Sequence, residues 1–168
     1  MAFTASSMFS AWTMSMMGKG VTTPGLPASY AGLLSDAVLV ALYGNSGTPD
    51  KDATIANTGY NTGAWVTGNE ITGSGIWAAG GRTLAGGALT QPGSGVMMWD
   101  ATDLAGAGTG TLSAVFGCLV YDNTITAGTG GVAKQGVCFN FFGGSQSVTS
   151  GTFTIIWSAN GVARITSS

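Results

Sequence analysis

Two pairs of carboxylates come closest, by residue type and spacing, to a reactive or metal-binding site in this 168-residue chain. Asp50 and Asp52 stand in a turn and have the ligand type that Ca²⁺ prefers, although the further oxygen donors of a calcium site are missing. Asp100 and Asp103 have the residue types of a glycosidase acid–base pair, which also needs a sugar-binding cleft around it. Because aspartates in turns commonly cap backbone amides, we expect a structural role for Asp50 and Asp52, and we predict no catalytic role for Asp100 and Asp103.

Other chemistry is scarce in the sequence. The chain has no histidine and two cysteines, so it lacks a side chain that titrates near neutral pH unperturbed and the ligand set of a zinc site. The glycine-rich stretches at 73–75 and 106–110 are not followed by a predicted helix or by the Gly-Lys-Ser/Thr of a phosphate-binding loop. We therefore predict no catalytic residue, no metal and no cofactor, and we expect that the protein is not an enzyme.

The two cysteines, Cys118 and Cys138, lie in two apolar runs on either side of a glycine-rich loop near Gly128. A hairpin centred on that loop would bring them roughly opposite each other, where a cross-strand disulfide is possible. The alternative, which we favour for a cytoplasmic setting, is a pair of reduced core cysteines that pack as small hydrophobic side chains.

Short apolar or β-branched runs, separated by Gly, Pro and Asn breakers, dominate the chain from residue 36 onward. This pattern predicts an all-β domain, a β-sandwich or jelly roll. The Asn160-Gly161 pair between two short runs predicts a tight hairpin turn. The predicted strands cover 37–43, 71–77, 83–90, 96–100, 111–121, 136–142, 152–158 and 162–166.

The N-terminal segment is different. Ala5, Phe9, Trp12 and Met16 recur at spacings of three and four, which predicts a helix over 2–17, with Thr4 as a possible N-cap. This helix either lies against its own core or forms an arm on a neighbouring subunit, which makes Phe9, Trp12 and Met16 candidate interface residues. With an extended linker over 21–35, the predicted organisation is an N-terminal arm (1–35) and a β-domain (36–168).

The aromatic residues divide into two groups. Trp77, Trp99 and Trp157 lie in predicted strands with alternating patterning, which favours core packing. Tyr60 and Trp65 lie in a Gly/Asn/Thr-rich segment, so we expect them to be exposed. An exposed aromatic pair suits either an intersubunit contact or a platform that stacks on sugars.

Charge is unusually low. Charged residues make up 7% of the chain, the net charge is −2, and the basic residues are far apart, which argues against binding of nucleic acid. No apolar run is long enough to span a bilayer and no signal peptide is recognised, so we expect an intracellular product without a membrane partner. A surface with so few charges has little power to repel copies of itself, which predicts a protein built to be buried in an assembly.

The order of segments after residue 36 resembles a specific group of proteins. It runs from VLVALY (38–43) and GTPD (47–50) through NEITGSG (69–75), AGGRTL (79–84) and AVFGCLVYD (114–122), and on to FNFFGG (139–144), GTFTIIW (151–157) and GVARI (161–165). This resembles a widespread group of small β-rich structural proteins of tailed bacteriophages, several of which look like head decoration (cement) proteins.

The resemblance implies a β-sandwich or jelly-roll domain on the outside of the capsid, made in the host cytoplasm, often as a homotrimer and bound to the major capsid protein. It carries over no catalytic residue. The expected function is therefore capsid decoration. The alternative is a tail- or fibre-associated adhesion module that binds host-surface glycan, with Tyr60 and Trp65 as its platform.

Overall fold

The structure is a computed structural model that describes residues 3–9, 32–126 and 131–166. These residues form an all-β fold of antiparallel strands, as the sequence predicts. The strands are β1 (Ser7–Met8), β2 (Val38–Tyr43), β3 (Arg82–Thr83), β4 (Ala88–Gly93), β5 (Val96–Asp100), β6 (Leu104–Ala105), β7 (Gly110–Asp122), β8 (Gly136–Gly151), β9 (Thr154–Ile155) and β10 (Ala163–Thr166). Single 3₁₀ turns lie at Ile55–Asn57, Gly63–Trp65 and Thr67–Asn69.

The main sheet has five strands in the order β1-β8-β7-β2-β3. Strand β2 pairs with β7 along its whole length, from Val38 opposite Asp122 to Tyr43 opposite Gly117. Nearly all of β2 is buried, which explains why its sequence is a continuous apolar run rather than an alternating one. The sheet centre therefore forms the middle of the hydrophobic core, with Trp77 and Trp65 packed into the same cluster.

The long β7–β8 hairpin extends beyond this core. Its strands have 13 and 16 residues, and the register shifts at several bulges. The predicted breaker Gly143-Gly144 does not end β8. The strand continues through both glycines, which take positive φ. Strand β6 precedes β7 and strand β9 follows β8. These two short strands also pair with each other, so the two segments continue side by side beyond the hairpin.

A separate three-stranded sheet has the order β10-β5-β4. Strand β10 pairs with β5 from Ala163 opposite Trp99 to Thr166 opposite Val96, and β4 pairs with β5 on the other side. Every residue of β4 is exposed. Pro92 lies in β4, which is an edge strand of this sheet. Proline is tolerated there because one side of an edge strand has unpaired backbone.

The predicted N-terminal helix is wrong over residues 3–9. Ser7 and Met8 form strand β1, opposite Phe139 and Cys138, and the Ser6 hydroxyl accepts a hydrogen bond from the Phe141 amide. Pairing with the otherwise open edge of β8 satisfies backbone groups that an isolated helix would have satisfied internally, so tertiary pairing overrides the helical spacing. Residues 10–17 lie outside the described part of the chain.

Three further predictions are corrected. Residues 71–77 form a turn with a bridge between Gly73 and Trp77, not a strand. The run at 83–90 is divided between β3 and β4, and 152–158 contains only the short β9. The Asn160-Gly161 turn is confirmed by the hydrogen bond from the Gly161 amide to the Ser158 carbonyl, but β10 then pairs with β5 rather than β9.

Candidate assembly surface

Trp65, predicted to be exposed, is buried, with 2% of its surface accessible. The 3₁₀ turn Gly63–Trp65 directs its ring inward, where it lies against Phe3, Phe9, Tyr43 and Phe139 at centroid distances of 5.1–6.0 Å. The Tyr43 hydroxyl donates a hydrogen bond of 2.6 Å to the Trp65 carbonyl. The prediction of an exposed Trp65, as an interface anchor or sugar platform, is therefore wrong.

Phe9, the second predicted interface residue, is also buried. None of its surface is accessible, and its ring packs edge-on against Trp65 and Phe139. Phe9 thus anchors β1 to the core of its own chain rather than to a neighbour. Trp12 and Met16, the other two predicted arm residues, lie outside the described residues.

Tyr60 is half-buried in a cluster that joins three loops. Its ring stacks on Tyr121 at 4.9 Å, and the Lys134 ammonium lies 5.2 Å from its centroid on the ring face. Its hydroxyl donates to Glu70 Oε2 at 2.7 Å, while Glu70 Oε1 accepts the Gly80 amide at 2.8 Å. Burial and the bond to Glu70 raise the pKa of Tyr60 to about 12.

Glu70 is the centre of this cluster, and sequence analysis did not single it out. Burial raises the pKa of Glu70, and the hydrogen bonds from Tyr60 and Gly80 offset part of that rise. Both carboxylate oxygens hold loop groups in place. The arrangement therefore has the geometry of a loop brace, with a partly exposed Tyr60 at its rim. The one signal in the sequence is a lone acid within a Gly/Asn/Thr-rich segment.

The two predicted carboxylate pairs are held by local contacts. Asp50 accepts the Asp52 amide at 2.9 Å, and the Asp52 carboxylate forms an ion pair with the neighbouring Lys51. Asp103 accepts the Trp157 amide at 3.0 Å, and Asp100 accepts the amide of Ala101. Across 3–9, 32–126 and 131–166, no group of three or more His, Cys, Asp or Glu side chains is placed to hold a metal ion.

A carboxyl pair that the sequence did not reveal lies at the end of β7. The Asp122 side chain is fully buried, and its Oδ1 accepts the Thr124 amide at 2.9 Å. The Asp36 carboxyl lies close enough to Asp122 to affect its pKa, and it accepts the Gly32 amide at 3.0 Å. Burial, with a further contribution from Asp36, raises the pKa of Asp122 to about 6. The folded protein therefore favours the protonated form of Asp122.

Cys118 and Cys138 are buried and free, which confirms the prediction of reduced core cysteines. The hairpin between them forms as predicted, but Cys118 lies opposite Asn140 and Cys138 opposite Val120, so neither faces the other directly. Burial raises the pKa of both thiols, to about 12 for Cys138. A fully buried, protonated thiol is a poor nucleophile.

The predicted core tryptophans are largely confirmed. Trp77 and Trp99 are buried in the main cluster. Trp157 is only partly buried, and its indole N–H donates to the Thr102 carbonyl at 3.2 Å.

Among the described residues, several large exposed apolar side chains lie around Trp99. Register places Leu89 opposite Trp99 and Ile165 opposite Met97, so these four side chains share one face of the three-stranded sheet, here called the Trp99 face. Trp99 is 4% exposed, whereas Leu89 and Met97 are each 59% exposed. Leu34, 58% exposed, borders this face across Gly87. Such clustering of large exposed apolar side chains marks interaction surfaces on soluble proteins.

Comparison of the chain with protein-family models, curated proteins and solved structures finds no match in any of the three. No helix among the described residues is long and apolar enough to cross a membrane.

Proposed function

We propose that this chain is a bacteriophage virion structural protein, and specifically a capsid decoration (cement) protein that binds the outside of the major-capsid lattice. The observation that carries the proposal is the Trp99 face, an exposed apolar surface on an all-β body with few charges. Leu89 and Met97 stand on it with more than half of their surface accessible. The order of segments that resembles phage structural proteins supports the same function.

The occupant of the Trp99 face, on this proposal, is a second copy of the chain. Its four side chains are uncharged, so they match another uncharged surface. A sister copy provides one, because only 12 of its 168 residues are charged. Docking two such surfaces removes apolar area from water and leaves no charge buried without a partner.

Oligomerisation suits decoration for a further reason. A homotrimer presents three copies of any capsid-binding site, so that each contact can be weak while attachment of the whole trimer is strong. Binding to the assembled lattice but not to free subunits stabilises the shell by mass action. The protein then acts mechanically, by bridging neighbouring major-capsid subunits.

Cryo-electron microscopy of particles that carry this protein tests the proposal. We expect density for the β-domain outside the shell, in many copies and at symmetry-related lattice positions, with Trp99 faces meeting between sister copies. Density confined to the tail would overturn capsid decoration in favour of the adhesion module. Particles without any density for the chain would overturn both virion roles.

A further inference from the structure

Arg82 stands in a cleft of about 390 Å³ at the outer edge of the main sheet. It belongs to β3, the edge strand, and lies opposite Val40 of β2. Paired residues share a face, so the arginine stem lies on the buried Val40 side, where the Trp77 indole donates to the Val40 carbonyl at 3.3 Å. The cleft continues between residues 75–78 and Ala107, and no acidic side chain lines it.

The Arg82 guanidinium lacks a partner among the described residues. Its Nε is buried without a hydrogen-bond acceptor, and the arginine forms no ion pair there. The other described cations are engaged: Lys51 by Asp52, Lys134 by the Tyr60 ring and Arg164 by the Asn160 side chain. A guanidinium without an acceptor or a counter-ion is costly in such a cleft, so the cleft favours an anionic ligand that reaches the Nη groups, which are not buried.

We propose that this cleft binds a carboxylate, carried by an acidic side chain of a neighbouring protein subunit. With Nε buried, the guanidinium offers one N–H from each of its two Nη groups as parallel donors, which match the two oxygens of a carboxylate. Strand β3 has an open edge among the described residues, so an extended segment of the partner can approach alongside it. The inference rests on the proposed function for the source of the carboxylate, a major-capsid subunit, while carboxylate binding itself is independent of that source.

The sequence provides an internal control for the first test. Arg82 and Arg164 are the two arginines of the chain, so a spectrum of arginine Nε–H groups contains two signals. We expect sodium acetate, added at constant ionic strength against sodium chloride, to shift the Arg82 signal in a saturable manner and to leave Arg164 unmoved. Equal shifts of both arginines, no shift of Arg82, or an equal response to inorganic phosphate would overturn the carboxylate site.

Two substitutions extend the test. Arg82→Lys keeps the charge but removes the paired donors, and Arg82→Gln removes the charge. We expect acetate binding, followed through the backbone amides of Gly81 and Thr83, to weaken at least tenfold in Arg82→Lys and to be lost in Arg82→Gln. Amide spectra of both variants that retain the native pattern elsewhere establish that the fold is intact.

Occupancy on the particle separates the carboxylate site from its source. If Arg82→Gln loses both acetate binding and attachment to the capsid, the partner assignment is supported. If acetate binding is lost while occupancy on the particle is unchanged, the capsid source of the carboxylate is overturned. If the native protein is absent from particles altogether, the proposed function fails, whereas the acetate response still reports on the cleft.

Discussion

At the scale of single residues, the buried Asp122 carboxyl beside Asp36 makes stability depend on pH. Because the folded protein holds the pKa of Asp122 at about 6, against an ordinary value of 3.8, the folded state binds more protons than the unfolded state between these values. The contribution of Asp122 to the free energy of unfolding is therefore greatest below about pH 4 and falls by about 3 kcal/mol as the pH rises through about 6. Urea unfolding across this range measures the slope.

The substitution Asp122→Asn isolates that contribution. An amide keeps a neutral side chain beside Asp36 at every pH, so we expect this part of the slope to disappear. Asp100→Asn is the matched control, because Asp100 lies at the end of β5 and caps the adjacent amide. An unchanged slope in Asp122→Asn would contradict the role of the pair.

The two thiols provide a second prediction at this scale. Cys118 and Cys138 are buried and their pKa values are raised, so neither is available as a thiolate in the folded protein. We expect a water-soluble aromatic disulfide reagent to modify neither cysteine natively and both of them in guanidinium chloride. Rapid modification of one thiol in the native protein would show that the β7–β8 hairpin opens locally.

At the scale of elements, the sequence predicted best the strands whose ends are marked by Gly, Pro or Asn breakers. Strands β2, β5 and β7 lie within predicted runs or nearly coincide with them, although only β2 is buried along nearly its whole length. The N-terminal prediction failed over residues 3–9 because a spacing of four between Ala5 and Phe9 is also compatible with an extended segment once β8 offers an edge. Buried Trp65 was missed for a similar reason: loop composition reports the backbone, not the direction in which one ring points.

Pairing of β3 with β2 depends on one glycine. Gly81 has φ +81°, and a Cβ there would lie 2.1 Å from the Val40 carbonyl oxygen. Its neighbour Gly80 has a similar φ of +84° but meets nothing closer than 3.9 Å. We expect Gly81→Ala to lower the free energy of unfolding by about 3 kcal/mol, from backbone strain and overpacking together, and Gly80→Ala by about 1 kcal/mol from strain alone.

Denaturant unfolding of the two variants measures this difference. Since both substitutions add one methyl group at positive φ, they differ mainly in the clash with Val40. Equal losses would show that β3 moves away from β2 at little cost. That result would also count against the carboxylate site at Arg82, because β3 forms one wall of that cleft.

At the scale of the whole molecule, low charge and exposed apolar residues have to be considered together. Composition predicted an assembly surface. The helical spacing placed it at Phe9, Trp12 and Met16, and the Gly/Asn/Thr-rich segment placed it at Tyr60 and Trp65. The structure buries Phe9 and Trp65 and exposes Leu89 and Met97 instead, on a sheet whose cross-strand register cannot be deduced from sequence. On the outer strand β4, Pro92 and the bulge between Thr90 and Gly93 limit backbone pairing, so side chains of the Trp99 face are the better candidates for the contact.

The last prediction concerns self-association through that face. Leu89→Glu combined with Met97→Glu places two charges where a sister copy would bury two apolar side chains. Burial of such side chains contributes about 1.5–3 kcal/mol each, so we expect association to weaken by at least about a hundredfold, with sedimentation velocity showing monomers.

Ile156→Glu is the matched control, because Ile156 is apolar and 75% exposed but belongs to a different surface beside β9. This control should retain the native oligomer and both variants should unfold at the native temperature, since all three side chains are solvent-exposed. An oligomer that survives the double substitution, or that Ile156→Glu disrupts equally, would exclude the Trp99 face as the contact between copies.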